Sequence, residues 1–150
     1  MIVTLLLLTH VGCTPTSDST HNDSNSFPAD LKIVFGEGGG FSGLWSGYAI
    51  HTGDTVFQWK GKSFGENPVF AGTLPHDSLE ALWQVMRELR LLECPSNVIR
   101  ANYVQALAVT ADSSEHMFAW EPSMSADSTM ASAIEFRARC LNAIRNSLQR

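Results

Sequence analysis

Apolar and polar residues alternate with a period near two in several stretches of this chain, and recur every three to four residues in two others. Leu31, Ile33 and Phe35 fall on one side of an extended segment, with Lys32 and Val34 on the other. The stretch 44–51 repeats the pattern, setting Leu44, Ser46, Tyr48 and Ile50 against Trp45, Gly47 and Ala49. The stretch 55–59 is rich in β-branched and aromatic residues, which suit a pleated, half-buried surface. These three segments predict a meander, with turn chemistry in His51-Thr52-Gly53-Asp54 between the second and third. A loop over 61–68 and a short edge strand over 69–74 follow. Residues 103–110 and 115–120, joined across 111–114, predict a hairpin, and 96–102 reads as a connection.

Leu79, Leu82, Trp83, Met86 and Leu89 follow helical spacing and form one apolar stripe. Asp77 and Glu80 stand three residues apart, as a capping box requires, and Pro95 sets the limit of this helix. A last helix is predicted over 128–148, capped from Ser125-Ala126-Asp127-Ser128. Its stripe is Met130, Ile134, Leu141, Ile144 and Leu148, with Ala138 beside them. Arg137, Arg139, Arg145 and Arg150 lie toward its C-terminal half, where cations complement the helix dipole. The order of elements predicts an α+β fold: an antiparallel sheet of about five to six strands, meander plus C-terminal hairpin, with two helices packed on one face.

The N-terminal text has a different pattern. Residues 1–13 are an apolar run ending in Val11-Gly12-Cys13, too short to span a bilayer and of the length of a secretory signal. The ending is similar to a bacterial lipobox, which makes Cys13 the candidate for lipidation, with palmitate among the acyl chains, and the mature N-terminus. His10 stands where such boxes carry Leu, and no Lys or Arg precedes Lys32. Residues 14–26 are polar, with no aliphatic or aromatic side chain to offset ordering entropy. The expected division is a signal peptide over 1–13, a flexible polar tether over 14–28 and a single α+β domain over 29–150. The expected location is the bacterial cell envelope, membrane-anchored and facing the periplasm or cell surface.

Composition narrows the chemistry. With 15 acidic and 10 basic residues the net charge is -5, so the chain lacks the basic footprint of a nucleic-acid binder. Gly38-Gly39-Gly40-Phe41-Ser42-Gly43 places four glycines in six residues around one aromatic, and predicts a shaped turn. It has neither the Gly-Lys-Ser/Thr ending of a phosphate loop nor the spacing of a nucleophile elbow, and it leads into a strand. Gly39, Gly40, Phe41, Ser42, Gly43, Trp45 and Trp59 are the candidate binding residues. Phe41 is either tucked under the sheet by a wide turn or presented to a partner by a recognition loop. Trp45 and Trp59 form an aromatic patch if they share the sheet face away from the helices, and otherwise belong to the core with Trp83 and Trp120. His51, His76 and His116 are isolated, without metal-ligand spacing, so neither a metal nor a cofactor is expected. Cys94 and Cys140 form a disulfide candidate, closing a loop of about 46 residues and stabilising by roughly 2–4 kcal/mol in an oxidising compartment. Two buried free thiols are the alternative.

The run Ile33-Val34-Phe35-Gly36-Glu37-Gly38-Gly39-Gly40-Phe41-Ser42-Gly43, followed by a helix with Leu79, Leu82 and Leu89, resembles the emfourin (protealysin inhibitor) family. It is also similar to bacterial lipoproteins with a Gly-Gly-Gly-Phe-Thr-Gly turn. The resemblance implies a small bacterial inhibitor of thermolysin-like metalloproteases, with the glycine turn early in the chain. Ser42 stands where that family tends to have Ala. The resulting expectation is a non-enzymatic envelope domain, attached to the membrane through a lipid and binding a protein partner such as a metalloprotease. The alternatives are a pocket for a small apolar ligand between sheet and helices, or a hydrolase using His116 or His51.

Overall fold

The computed structural model describes residues 27–123 and 128–149. Cys13, the signal peptide, nearly all of the tether and the proposed caps at Ser125, Ala126 and Asp127 lie outside the described residues. Among the described residues the chain forms β1 (Lys32–Gly39), β2 (Leu44–His51), β3 (Thr55–Gly61), β4 (Val69–Thr73), α1 (His76–Glu88), a single 3-10 turn (Leu91–Glu93), β5 (Asn97–Val98), β6 (Tyr103–Ala111), β7 (Ser114–Trp120) and α2 (Ser128–Leu148). The strands make one sheet in the order β4-β3-β2-β1-β6-β7-β5. Every pairing is antiparallel except that of β5 with β7. The fold is α+β with a mostly antiparallel sheet and two helices.

Alternation decides which residues meet the helices. Ile33 pairs with Ile50 and Val109, and Phe35 pairs with Tyr48 and Leu107. These side chains share one face with Val56, Phe118 and Trp120. Leu79, Leu82, Trp83 and Met86 of α1, and Met130, Ala133, Phe136, Cys140 and Ile144 of α2, pack onto that face as one core. The buried stripe of α2 is thus rotated from the expected one. Ile134 and Leu141 pack only at its margin, and Leu148 is 41% exposed. Phe136 decides the rotation, because the largest apolar ring in the helix takes the centre of the core at 0% exposure.

Seven strands replace the expected five to six. The addition is β5, inside the segment read as a connection. Two residues carry no periodicity; β7 holds this segment in place. Ile99 N–H donates to the Ala119 carbonyl, and Ser96 Oγ accepts from Met117 N–H. The capping box at Asp77 does not form. Pro75 occupies the N-cap with no side-chain bond, its carbonyl accepting from Ser78 and Leu79. Asp77 instead complements the dipole in the first turn. Arg90, with φ 54, ends α1 well before Pro95.

The expected disulfide is absent. Cys94 and Cys140 are both free thiols. Cys94 Sγ donates to the Arg90 carbonyl beside the 3-10 turn, while Cys140 faces the core from the middle of α2.

The face away from the helices is built differently. One row across it reads Trp59, Gly47, Gly36, Ala106, Ala119. The Trp59 indole lies over the two glycines: a Cβ at Gly36 or Gly47 would stand 2.6 or 2.7 Å from its Cζ2 atom. The same Cβ atoms would also run into the carbonyls of Ser46 and Phe35 on the adjoining strand. Gly47→Ala is therefore expected to lower unfolding free energy by about 2–3 kcal/mol in a denaturant titration. Gly53→Ala, at an open turn position with φ 85, costs only the backbone strain of about 1 kcal/mol.

The chain enters this sheet through a polar clamp. Asp30 accepts the amides of Asp112 (2.9 Å) and Ser113 (2.6 Å), which turn the β6–β7 hairpin with φ of 50 and 62. These bonds, the Ser113 amide foremost, pull the Asp30 carboxyl below its ordinary value. A depressed carboxyl adds stability above the unfolded value of about 3.9 and loses it as pH falls through the folded value. Asp30→Ala is accordingly expected to lower Tm at neutral pH, with the gap to the parent protein closing as the pH drops below about 4.

Candidate functional site

The glycine run serves two structures. Gly36 to Gly39 belong to β1, and only Gly40 to Gly43 form the turn, so the turn is shorter than its glycine content implies. Gly39 pairs with Leu44 on one side and Tyr103 on the other. Gly39, Gly40 and Gly43 have φ of 103, 67 and 59, in the region open to glycine. Gly43 N–H donates to the Gly40 carbonyl at 3.2 Å, and Ser42 Oγ accepts from Leu44 N–H at 3.2 Å. Gly40 N–H donates to the Asn102 carbonyl at 2.5 Å, tying the tip to the segment entering β6. A Cβ on Gly39 would collide with that same carbonyl.

These bonds leave Phe41 fully in solvent, at 110% of its reference exposure. Leu44 (43%) and Tyr103 (40%) flank Gly39 on the helix side of the sheet. The pole of the sheet therefore carries three exposed apolar side chains around a braced turn. Leu44 and Tyr103 were not singled out from sequence. Each ends a strand, and only the pairing of both with Gly39 makes them neighbours.

Of the candidate binding residues, Gly39, Gly40, Phe41, Ser42 and Gly43 form this tip, and Trp45 stands next to it. The Trp45 ring covers Gly38 and meets Phe64 edge-on at 5.8 Å. Trp59 is on the same face, opposite the helices, but it is not part of an exposed patch. It is 1% exposed, beneath Phe64 at 5.1 Å. The loop 62–68 brings Phe64 there, with Glu66 Oε2 accepting the amides of Lys62 (2.7 Å) and Ser63 (3.0 Å).

On the helix face a polar network adjoins the tip. Glu37 Oε2 accepts from Arg137 Nη2 (3.1 Å) and Gln105 Nε2 (3.2 Å), and Gln105 Oε1 accepts from Trp120 Nε1 (3.1 Å). Burial, together with a bond to Glu37, pushes the Tyr103 phenol above its ordinary value. The network fixes α2 against β1, β6 and β7 through a guanidinium 13% exposed.

The histidines do not converge. His116 lies on the helix face and donates from Nδ1 to the Cys94 carbonyl at 2.9 Å. His51 lies on the other face, its ring 4.9 Å from that of Phe57, and burial followed by the nearby Lys32 ammonium lowers its pKa. Asp54 pairs with His76, at 3.3 Å, rather than with His51. Among the described residues no three His, Cys, Asp or Glu side chains gather as a metal site.

The fold and site define an α+β domain with an apolar hairpin tip. Compared with known protein families and with curated proteins, the chain matches none.

The two thiols differ in a measurable way. Complete burial pushes the Cys140 thiol far above its ordinary value, whereas Cys94 is only half-buried. Thiol titration of native protein is expected to label Cys94 and leave Cys140 unmodified until denaturant is added, by peptide mapping of the alkylated residues.

Proposed function

We propose that the chain is an exported, lipid-anchored domain of the bacterial cell envelope that binds a protein partner through the Gly39–Gly43 turn. The observation that carries this reading is the exposure of Phe41 on a turn held by three backbone and side-chain bonds. Keeping a Phe ring in water forgoes about 1.5–3 kcal/mol that burial would supply. A partner with an apolar recess recovers it, and the braced turn limits the ordering cost of docking. Leu44 and Tyr103 widen the contact, and Trp45 supports the turn from behind. The apolar run ending at Cys13 and the polar stretch after it support export and anchoring.

The resemblance to the emfourin family supports a thermolysin-like metalloprotease as the partner, with the domain acting as an inhibitor rather than an enzyme. Phe41 is then the side chain that enters the cleft. Inhibition of a thermolysin-like enzyme by the parent protein, weakened roughly 30-fold by Phe41→Ala, is the expected outcome. The substitution should leave unfolding free energy within about 0.5 kcal/mol. Equal inhibition by both proteins, or none by either, would exclude the turn as the inhibitory element. Mass spectrometry of the mature protein is expected to find an acylated Cys13 at its N-terminus.

A further inference from the structure

The sheet face opposite the helices holds a second feature, separate from the Phe41 tip. In the loop 62–68 Phe64 and Gly65 are half-buried while the other residues are exposed. Its internal bonds from Glu66 fold it back over the sheet, where Phe64 packs on Trp45 and Trp59. Gly65 follows so closely that a Cβ there would be 3.6 Å from Val34 Cγ1. Beside this roof a crevice of about 210 Å³ remains open to the sheet.

Two adjacent rows of the sheet form the crevice. The first reads Ala49, Val34, Ala108, and all three residues are buried. These short side chains make a shallow apolar floor, and Phe57 on β3 and Met117 on β7 continue the row and pack against it. The second row reads His51, Lys32, Thr110, Glu115. Lys32 stands on the central strand two residues before Val34, on the same face, and lines the crevice. Glu115 stands two strands away, at the margin. Neither is ion-paired among the described residues. His51, whose pKa is lowered, and Thr110 place uncharged hydrogen-bonding groups on either side of the Lys32 cation.

We propose that this crevice binds a small monocarboxylate with a compact apolar body. The carboxylate meets the Lys32 ammonium and the Thr110 hydroxyl, and the body lies on Val34, Ala49 and Ala108 beneath Phe64. The Lys32 cation selects an anionic head. The small floor and the low roof select a body the size of a branched aliphatic group or one six-membered ring. Glu115 faces the same row and opposes the anion from its margin. The site stands independently of the partner reading of the tip.

Titration of the full chain with isobutyrate and with benzoate, followed by calorimetry and amide chemical shifts, tests the proposal. Saturable shifts are expected at Val34, Ala49, Thr110 and Ala108, with isobutyramide, benzamide and isobutylamine binding at least about fivefold more weakly. Lys32→Gln, at an exposed position that leaves packing intact, should weaken carboxylate binding about fivefold, and Glu115→Gln should strengthen it about twofold. Ala49→Leu should fill the crevice and abolish binding, with circular dichroism confirming the fold. Absence of saturable shifts, equal binding of the amides or the amine, or unchanged affinity in Lys32→Gln would overturn the proposal.

Discussion

Trp59 lies across the centre of the sheet because Gly47 and Gly36, its neighbours on the next two strands, have no side chains to hold it off. The indole takes the space that two Cβ atoms would fill, and Phe64 closes it from above. Burying a Trp ring removes about 150–250 Å² from water, roughly 4–6 kcal/mol at 25 cal/mol per Å². Its Nε1–H has no acceptor among the described residues, which costs about 1–3 kcal/mol. Burial wins, so the ring stays in although its donor is unsatisfied. The loop 62–68, the crevice beside it and the support behind the hairpin tip all rest on this ring.

The two faces of the sheet solve the burial problem with different means. The helix face uses large branched and aromatic side chains from five strands and two helices. Among the described residues the other face has no helix, and buries itself with one loop, small floor residues and a tryptophan laid flat. The Glu37–Arg137 pair sits where helix cover ends. Removing either charge would leave the other partly buried without its partner, so this pair sets the position of α2 more than it adds stability. β1 connects the ends of this arrangement. Its eight residues extend about 26 Å, from the chain's entry beside Lys32 to the tip at Gly39. Phe41 is thus at the pole opposite the point where the chain enters the sheet.

Much of the fold was legible because periodicity along the chain reports burial directly. The 103–120 hairpin, the limits of α2 and the apolar stripe of α1 all follow from local spacing. The rotation of α2 did not, because Phe136, Ala133 and Cys140 win the core by fit against strand residues distant in sequence. For the same reason Trp59 read as a patch residue. Its side of the sheet was deducible from alternation, but its cover depends on Phe64, in a loop with no periodic signal. The thiols read as a pair on count and compartment, yet neither criterion carries the distance or direction that a bond requires.

The run from Gly36 to Gly43 shows where such reading ends. Its glycines look alike in sequence and suggest one shaped turn. Gly36 and Gly38 are instead packing surfaces, one for Trp59 and one for Trp45, within a regular strand. Gly39, Gly40 and Gly43 supply the backbone angles of the turn. The division is set by what stands opposite on β2, β3 and β6, which no pattern within the run encodes. Phe64 then belongs to both neighbourhoods, roofing the crevice and bracing Trp45 behind the tip. The same absence of side chains that lets β1 turn at one end lets two indoles lie down along its length.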